Sequence, residues 1–205
     1  MPQAHIHFDF INGTGLVTLD RPEALNALTV EMVTNLRQVL LAWADDSAIS
    51  HVVIARHAQR ALCAGWDILA APATTTAHGF DEADAFFRGE YLVDLAIAEF
   101  GKPIIALCDG VVMGGGAGLA EHCTHIIMSE TTRFPMPETS LGLFPDGVAS
   151  LVLGRCPCPG ARLLGTTRYL PQCAGRLMLV LPPPMEFSAQ RAAVTHSPLA
   201  SPLPA

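Results

Sequence analysis

Three short runs that are apolar at almost every position, HVVIA (51–55), PIIALC (103–108) and HIIM (125–128), constrain the fold more than any other feature of this chain. A strand without polar alternation is covered on both faces, which is the habit of parallel sheets sandwiched by helices. The segments between the runs read as helices. Met32, Val33, Leu36, Val39, Leu40 and Trp43 fall at helical spacing behind Thr29, a suitable N-cap. Residues 81–99 and 116–123 form two further helical stretches. An earlier run, GLVTL (15–19), alternates like a half-buried strand and ends at the turn signal Asp20-Arg21-Pro22. Strand and helix thus alternate, which predicts an α/β layered fold.

Composition narrows the functional classes. With 205 residues, 50% hydrophobic and 15% charged, the chain can bury a sizeable core and is not disordered. A net charge of −7 argues against a nucleic-acid partner, which selects a basic face. Gly, Asp and Pro interrupt every apolar run before it reaches the roughly 18 residues of a membrane helix. The opening MPQAHIHFDF lacks the basic and apolar regions of a signal peptide. Six cysteines (Cys63, Cys108, Cys123, Cys156, Cys158 and Cys173) without an export signal do not suggest a disulfide framework, so a cytoplasmic protein is expected. The charge is uneven: −11 over residues 1–146 and +4 over 147–205, with nine of the 16 prolines after residue 156. Periodicity fades after about Leu164, and LPPPMEF and SPLASPLPA offer no regular element.

The sharpest local motif is Met113-Gly114-Gly115-Gly116-Ala117-Gly118-Leu119, which follows a strand and opens a helix. Glycines there let a ligand approach the backbone, and a helix N-terminus favours a developing anion. The dinucleotide fingerprint fails at Leu119, and the Gly-Lys-Ser/Thr ending of a phosphate loop is missing. A tight turn between packed elements is the plain structural alternative. A second glycine-bearing strand end, Ala61-Leu62-Cys63-Ala64-Gly65-Trp66-Asp67, follows the first apolar strand. Two backbone N–H groups from two such loops are what an oxyanion hole requires. A third segment, residues 136–146, sets Glu138 and Asp146 in an apolar stretch punctuated by Pro and Gly. Such surroundings raise carboxylate pKa values and suit acid/base work, although a cap or turn role is the usual one for a loop acid.

Together LVTLDRPEALNALTVEMV, RALCAGWDI, KPIIALCDGVVMGGGAGLA and FPMPETSLGLFPD resemble the crotonase (enoyl-CoA hydratase/isomerase) superfamily in order and spacing, over roughly residues 8–170. The resemblance implies a spiral of ββα repeats that binds coenzyme A thioesters, with the C-terminal helical part missing or replaced. It makes the N–H groups of Trp66 and Gly115 the oxyanion donors. It lays Glu23, Ala24, Leu25, Ala64 and Asp67 along the coenzyme A moiety. Coenzyme A is part of the substrate, and no separate cofactor and no metal are implied.

The acids indicate the branch. Hydratases of this family carry one Glu in the glycine-rich helix, where this chain has Gly118, and a second in the later Pro-Glu turn, where it has Glu138. GGGAGLA, MPET..GLFPD and Arg88-Gly89-Glu90-Tyr91 instead resemble the 3-hydroxyisobutyryl-CoA hydrolase branch of valine degradation. That likeness implies that Glu90, Gly115, Glu138 and Asp146 line the acyl pocket. Glu138 would attack the thioester or activate water, Asp146 would position that water or shuttle a proton, and Glu90 would accept from the substrate's 3-hydroxyl.

Three departures stand out. Trp66 occupies a position that is usually small, so an indole either narrows the acyl pocket or changes the loop. Phe144-Pro145-Asp146-Gly147-Val148 inverts the usual order of its last two residues. The likeness fades after Gly165, so residues 1–165 read as an incomplete thioester domain and 166–205 as a Pro-rich, poorly ordered tail, consistent with a truncated or frame-shifted reading frame. His122-Cys123-Thr124-His125 has metal-like residue types, but a helix-to-strand transition would point its histidines apart. Cys156-Pro157-Cys158 reads as a loop with incidental thiols, and Asp81, Glu82 and Asp84 as a solvated helix face. The expected partner is an acyl-CoA, with no membrane and no nucleic acid, and with trimeric or hexameric self-association as in the superfamily. The competing readings are an enoyl-CoA hydratase or isomerase, and a remnant that binds coenzyme A without turnover.

Overall fold

The computed structural model describes residues 5–57, 60–67, 79–134 and 178–179. Its elements in chain order are β1 (Ile6–Ile11), β2 (Thr14–Leu19), α1 (Val30–Asp45), β3 (His51–Arg56), β4 (Ala61–Cys63), α2 (Gly79–Ala98), β5 (Ile104–Cys108), β6 (Val111–Val112), α3 (Gly115–Glu121), β7 (His125–Met128) and β8 (Met178–Leu179). The main sheet runs β1-β2-β3-β5-β7-β8. Its centre, β2 through β7, is parallel, and both outer pairs are antiparallel. The α/β expectation holds, and the four expected strands lie within a residue of their predicted bounds.

β1 was not foreseen. It pairs with β2 from Ile6↔Leu19 to Ile11↔Thr14 through a turn at Asn12-Gly13, both at positive φ (49° and 83°). That is the backbone twist a tight hairpin needs, and Asn-Gly is the dipeptide that adopts it most readily.

Helix α1 begins where the Thr29 side chain accepts a hydrogen bond from the Met32 N–H at 3.2 Å. At its other end Lys102 Nζ donates to the carbonyls of Trp43 and Asp46 at 2.9 and 2.7 Å, satisfying acceptors that the helix leaves open. Met32, Val33, Leu36 and Leu40 of α1 and Val93 and Ile97 of α2 share one buried core with Val17, Leu19, Val52, Ile54, Ile104, Ala106 and Ile126 of the sheet.

The apolar strands are not covered on both faces, as their composition suggested. Leu107 and Ile127, direct partners on β5 and β7, remain 38% and 47% exposed. Among the described residues no helix is long and apolar enough to cross a membrane.

A second, two-stranded parallel sheet pairs β4 with β6. Its importance is positional, because the loops leaving these two strands, residues 64–67 and 113–114, emerge side by side.

Candidate active site

The loop after β2 is held by Asn26, 2% exposed and at φ 57°. Its Oδ1 accepts from the Arg21 N–H at 2.7 Å, and its Nδ2 donates to the carbonyls of Ala61 and Leu62 at 3.0 and 3.1 Å. The same loop then threads against the end of β4. Ala64 N–H donates to Leu25 O, Leu28 N–H to Gly65 O, and Asp67 N–H to Leu28 O, at 3.0, 2.7 and 3.1 Å. Arg21 and Asp67 close the join with an ion pair of 2.6 Å between side chains only 16% and 10% exposed. All five residues expected along coenzyme A (Glu23, Ala24, Leu25, Ala64 and Asp67) therefore belong to one stitched pair of loops. Glu23 sits on the short turn Pro22–Ala24 with its side chain 63% exposed.

Gly65 takes φ +90°, and its α-carbon packs against the second loop. A methyl there would stand 2.8 Å from Met113 O and 3.2 Å from Gly115 N. Met113 N–H in turn donates to Cys63 O at 3.1 Å. The backbones of Trp66 and Gly115 are thereby brought to one place. Gly116, Ala117 and Gly118 donate their N–H groups to the carbonyls of Met113 and Gly114. The Gly115 N–H has no acceptor among the described residues. α3 is only seven residues long, so its anion affinity rests on such individual N–H groups rather than on a long helix dipole.

Helix α2 closes the arrangement. Glu90, 8% exposed, sets its carboxylate directly over the Gly115 α-carbon, where a methyl would collide with Oε1 and touch Leu28 Cδ1 at 3.6 Å. One turn earlier on α2, Phe87 meets the Trp66 indole edge-on, with ring centroids 4.8 Å apart and planes at 76°. Gly89, between them, faces Val33 of α1, which a methyl would meet at 3.3 Å.

The nearby thiol of Cys63 is buried and held in its protonated form. Burial pushes it up to about 12, the neighbouring Glu90 charge adds to this, and the Gly65 N–H opposes it. One turn beyond Glu90, Asp94 is 3% exposed with Oδ1 3.9 Å from His122 Nδ1. A methyl at Gly118 would meet its Oδ2 at 3.2 Å. His122 Nδ1 donates to Gly118 O at 2.7 Å, and burial holds the imidazole pKa down. His125 points elsewhere, exposed on β7 with Thr124 Oγ1 at 3.1 Å.

The structure thus brings Glu90, Gly115 and Trp66 together and ties Ala64 and Asp67 to the same loops. Glu138 and Asp146 lie outside the described residues, as do Cys156 and Cys158. Two contributors escaped the sequence reading. Phe87 could have been found from its spacing, one turn before Glu90 on the same helix. Leu28 carries no signal, because its role depends on a backbone bridge to Trp66.

Comparison with known proteins bears on the family and the fold. The enoyl-CoA hydratase/isomerase family pattern matches residues 14–171. The chain is 36% identical over 178 residues to a mitochondrial 3-hydroxyisobutyryl-CoA hydrolase of Danio rerio, covering 87% of this chain and 42% of that protein. It is 43% identical over 143 residues to the mitochondrial 3-hydroxyisobutyryl-CoA hydrolase of Xenopus tropicalis, covering 70% and 37%. Among solved structures, a carnitinyl-CoA dehydratase from Mycobacterium thermoresistibile superposes with a TM-score of 0.77 at 34% identity, over 82% of this chain and 49% of that one. An enoyl-CoA hydratase from Rhodobacter sphaeroides gives 0.77 at 38%, over 82% and 50%. The chain spans about 40% of the length of the curated relatives and half of these structures.

Proposed function

The chain belongs to the enoyl-CoA hydratase/isomerase family and has its crotonase fold, and we propose that it hydrolyses a short-chain 3-hydroxyacyl-CoA thioester of the 3-hydroxyisobutyryl-CoA type. One observation carries this reading: the buried Glu90 carboxylate lies over Gly115 at the point where the Trp66 and Gly115 backbones converge. A thioester carbonyl between those two N–H groups would have its developing negative charge held by fixed donors. Losing one such donor typically costs ~100–1000-fold in rate. Glu90, alongside, would accept a hydrogen bond from the 3-hydroxyl and fix the acyl group in register. The sequence likeness assigns the reacting carboxylate to Glu138. Either Glu138 attacks the carbonyl carbon, expelling the coenzyme A thiolate and leaving a mixed anhydride that water opens, or it takes a proton from water that attacks instead. Asp146 would hold that water and return a proton. Coenzyme A enters as part of the substrate, and the scheme uses no separate cofactor and no metal.

The test is thiol release from 3-hydroxyisobutyryl-CoA by the purified chain. Turnover is expected, with a loss of at least ~100-fold in Glu138→Gln. Unaltered turnover in that variant would overturn the assignment. The naming of two structural relatives as an enoyl-CoA hydratase and a carnitinyl-CoA dehydratase favours a second reading, hydration of an enoyl-CoA. Crotonyl-CoA hydration at a rate rivalling thiol release would select it. A thermal melt that shifts with coenzyme A, in a chain with neither activity, would select the non-catalytic remnant. Self-association as trimers or hexamers, and residence in the cytoplasm rather than the mitochondrion named for several relatives, are part of the same proposal. Sedimentation and imaging of a tagged chain test them.

A further inference from the structure

We infer that Trp66 and Phe87 form an aromatic wall that limits the acyl group to a short chain, an inference that rests on the thioester reading above. The Trp66 backbone is fixed on both sides: Gly65 abuts Gly115, the Asp67 N–H is bonded to Leu28 O, and Trp66 itself bridges Leu28. With its main chain held at the carbonyl end of the site, the direction of the side chain is set by the ring it packs on. It meets Phe87 in an edge-to-face contact at 4.8 Å, the geometry aromatic quadrupoles favour. Phe87 is itself backed by Tyr91, one turn on, in a stacked contact with ring centroids 6.4 Å apart. The rings of Trp66, Phe87 and Tyr91 are therefore in successive contact, and Phe87 lies one turn before Glu90, whose carboxylate lies over Gly115.

An acyl chain whose carbonyl sits at the Trp66 and Gly115 N–H groups meets this wall within a few bonds. A branched, hydroxylated C4 group can turn its hydroxyl to Glu90. A longer alkyl tail would have to push two coupled rings apart. Pocket walls of this kind discriminate by ~10–200-fold per misfitting group.

The experiment measures binding rather than turnover, by titration calorimetry on the full 205-residue chain. The probes are two non-hydrolysable thioethers, S-(2-oxopropyl)-CoA and S-(2-oxoheptyl)-CoA. Wild type is expected to bind the short probe at least ~10-fold more tightly. Trp66→Ala and Phe87→Leu should each narrow that ratio several-fold by gaining affinity for the long probe. Equal wild-type affinities for the two probes would overturn the aromatic wall while leaving the thioester reading intact. So would an unchanged ratio in Phe87→Leu, the milder variant, provided that it melts cooperatively. Absence of wild-type binding to either probe and to coenzyme A would overturn the thioester reading and the wall with it.

Discussion

Individual glycines of the 113–118 loop have different duties. At Gly116 a methyl would run into the Cys63 carbonyl and come within 2.6 Å of the Cys63 Cβ. Both atoms belong to β4 and cannot move without the sheet, so overpacking is not relieved. Gly116→Ala should cost ~1–3 kcal/mol of stability, read as a lower midpoint in urea at unchanged slope. At Gly115 the methyl meets the tip of Glu90, a flexible side chain. Gly115→Ala should therefore fold nearly normally but displace the carboxylate and lose the thioester turnover proposed above. If both variants lost stability equally, the distinction would fail. Asp67 offers a third test at this scale. Its ion pair with Arg21 joins two loops from sites mostly removed from water, and removing Asp67 leaves the guanidinium with the Ala27 carbonyl and a 3.7 Å contact to the exposed Glu23. Asp67→Ala should cost roughly 3 kcal/mol, and a chemical denaturation curve overlying that of wild type would contradict this.

At the level of elements, the legible parts are those whose signal is local. Continuous apolar runs announced β3, β5 and β7, and the helical spacing behind Thr29 announced α1 with its cap. Thr29→Ala should destabilise by about 1 kcal/mol, seen as a fall in Tm, because the Met32 N–H loses its acceptor at the helix start. β1 was equally local, with Asn12-Gly13 as its turn, but its polar alternation at His7 and Asp9 hid it beside a search for long apolar runs. β4 and β6, three and two residues long, are too short to carry a period at all. The site divides in the same way. Gly115 and Trp66 could be nominated from motifs in their own loops. The meeting of Glu90 with Gly115 joins residues 25 apart through the packing of α2 on α3; only the family likeness implied it, since no hydropathy or turn signal within either segment encodes it. Asn26 is the clearest case of this kind: a polar loop residue in sequence, it proves to be the buried link from the β2 loop to β4.

For the molecule as a whole, acid stability follows from two groups at separate places in the sheet-and-helix stack. Asp109, just beyond β5, accepts hydrogen bonds from Ser129 and Thr131 beyond β7 and pairs with Arg56 at the end of β3, so it ties three adjacent parallel strand ends together. Those hydroxyl bonds, with Arg56 after them, hold its carboxyl down at about 2 against an ordinary 3.8. A depressed carboxyl stabilises the fold above its unfolded value, so this contribution is complete above pH 4 and is lost between about pH 4 and 2. His122 acts earlier. Burial lowers its pKa from 6.5, so the unfolded chain takes up the proton first, and stability erodes as pH falls below 6.5. The Gly118 carbonyl, which accepts from the ring, opposes only part of this burial effect. Thermal melts across pH should then show two descents, one beginning near pH 6.5 and one below pH 4. His122→Asn should flatten the first and leave the second, and Asp109→Asn should do the reverse. A first descent that persists undiminished in the His122 variant would show that other histidines drive it. The pair of variants separates a fault in the packing of α3 on α2 from a fault in the strand ends.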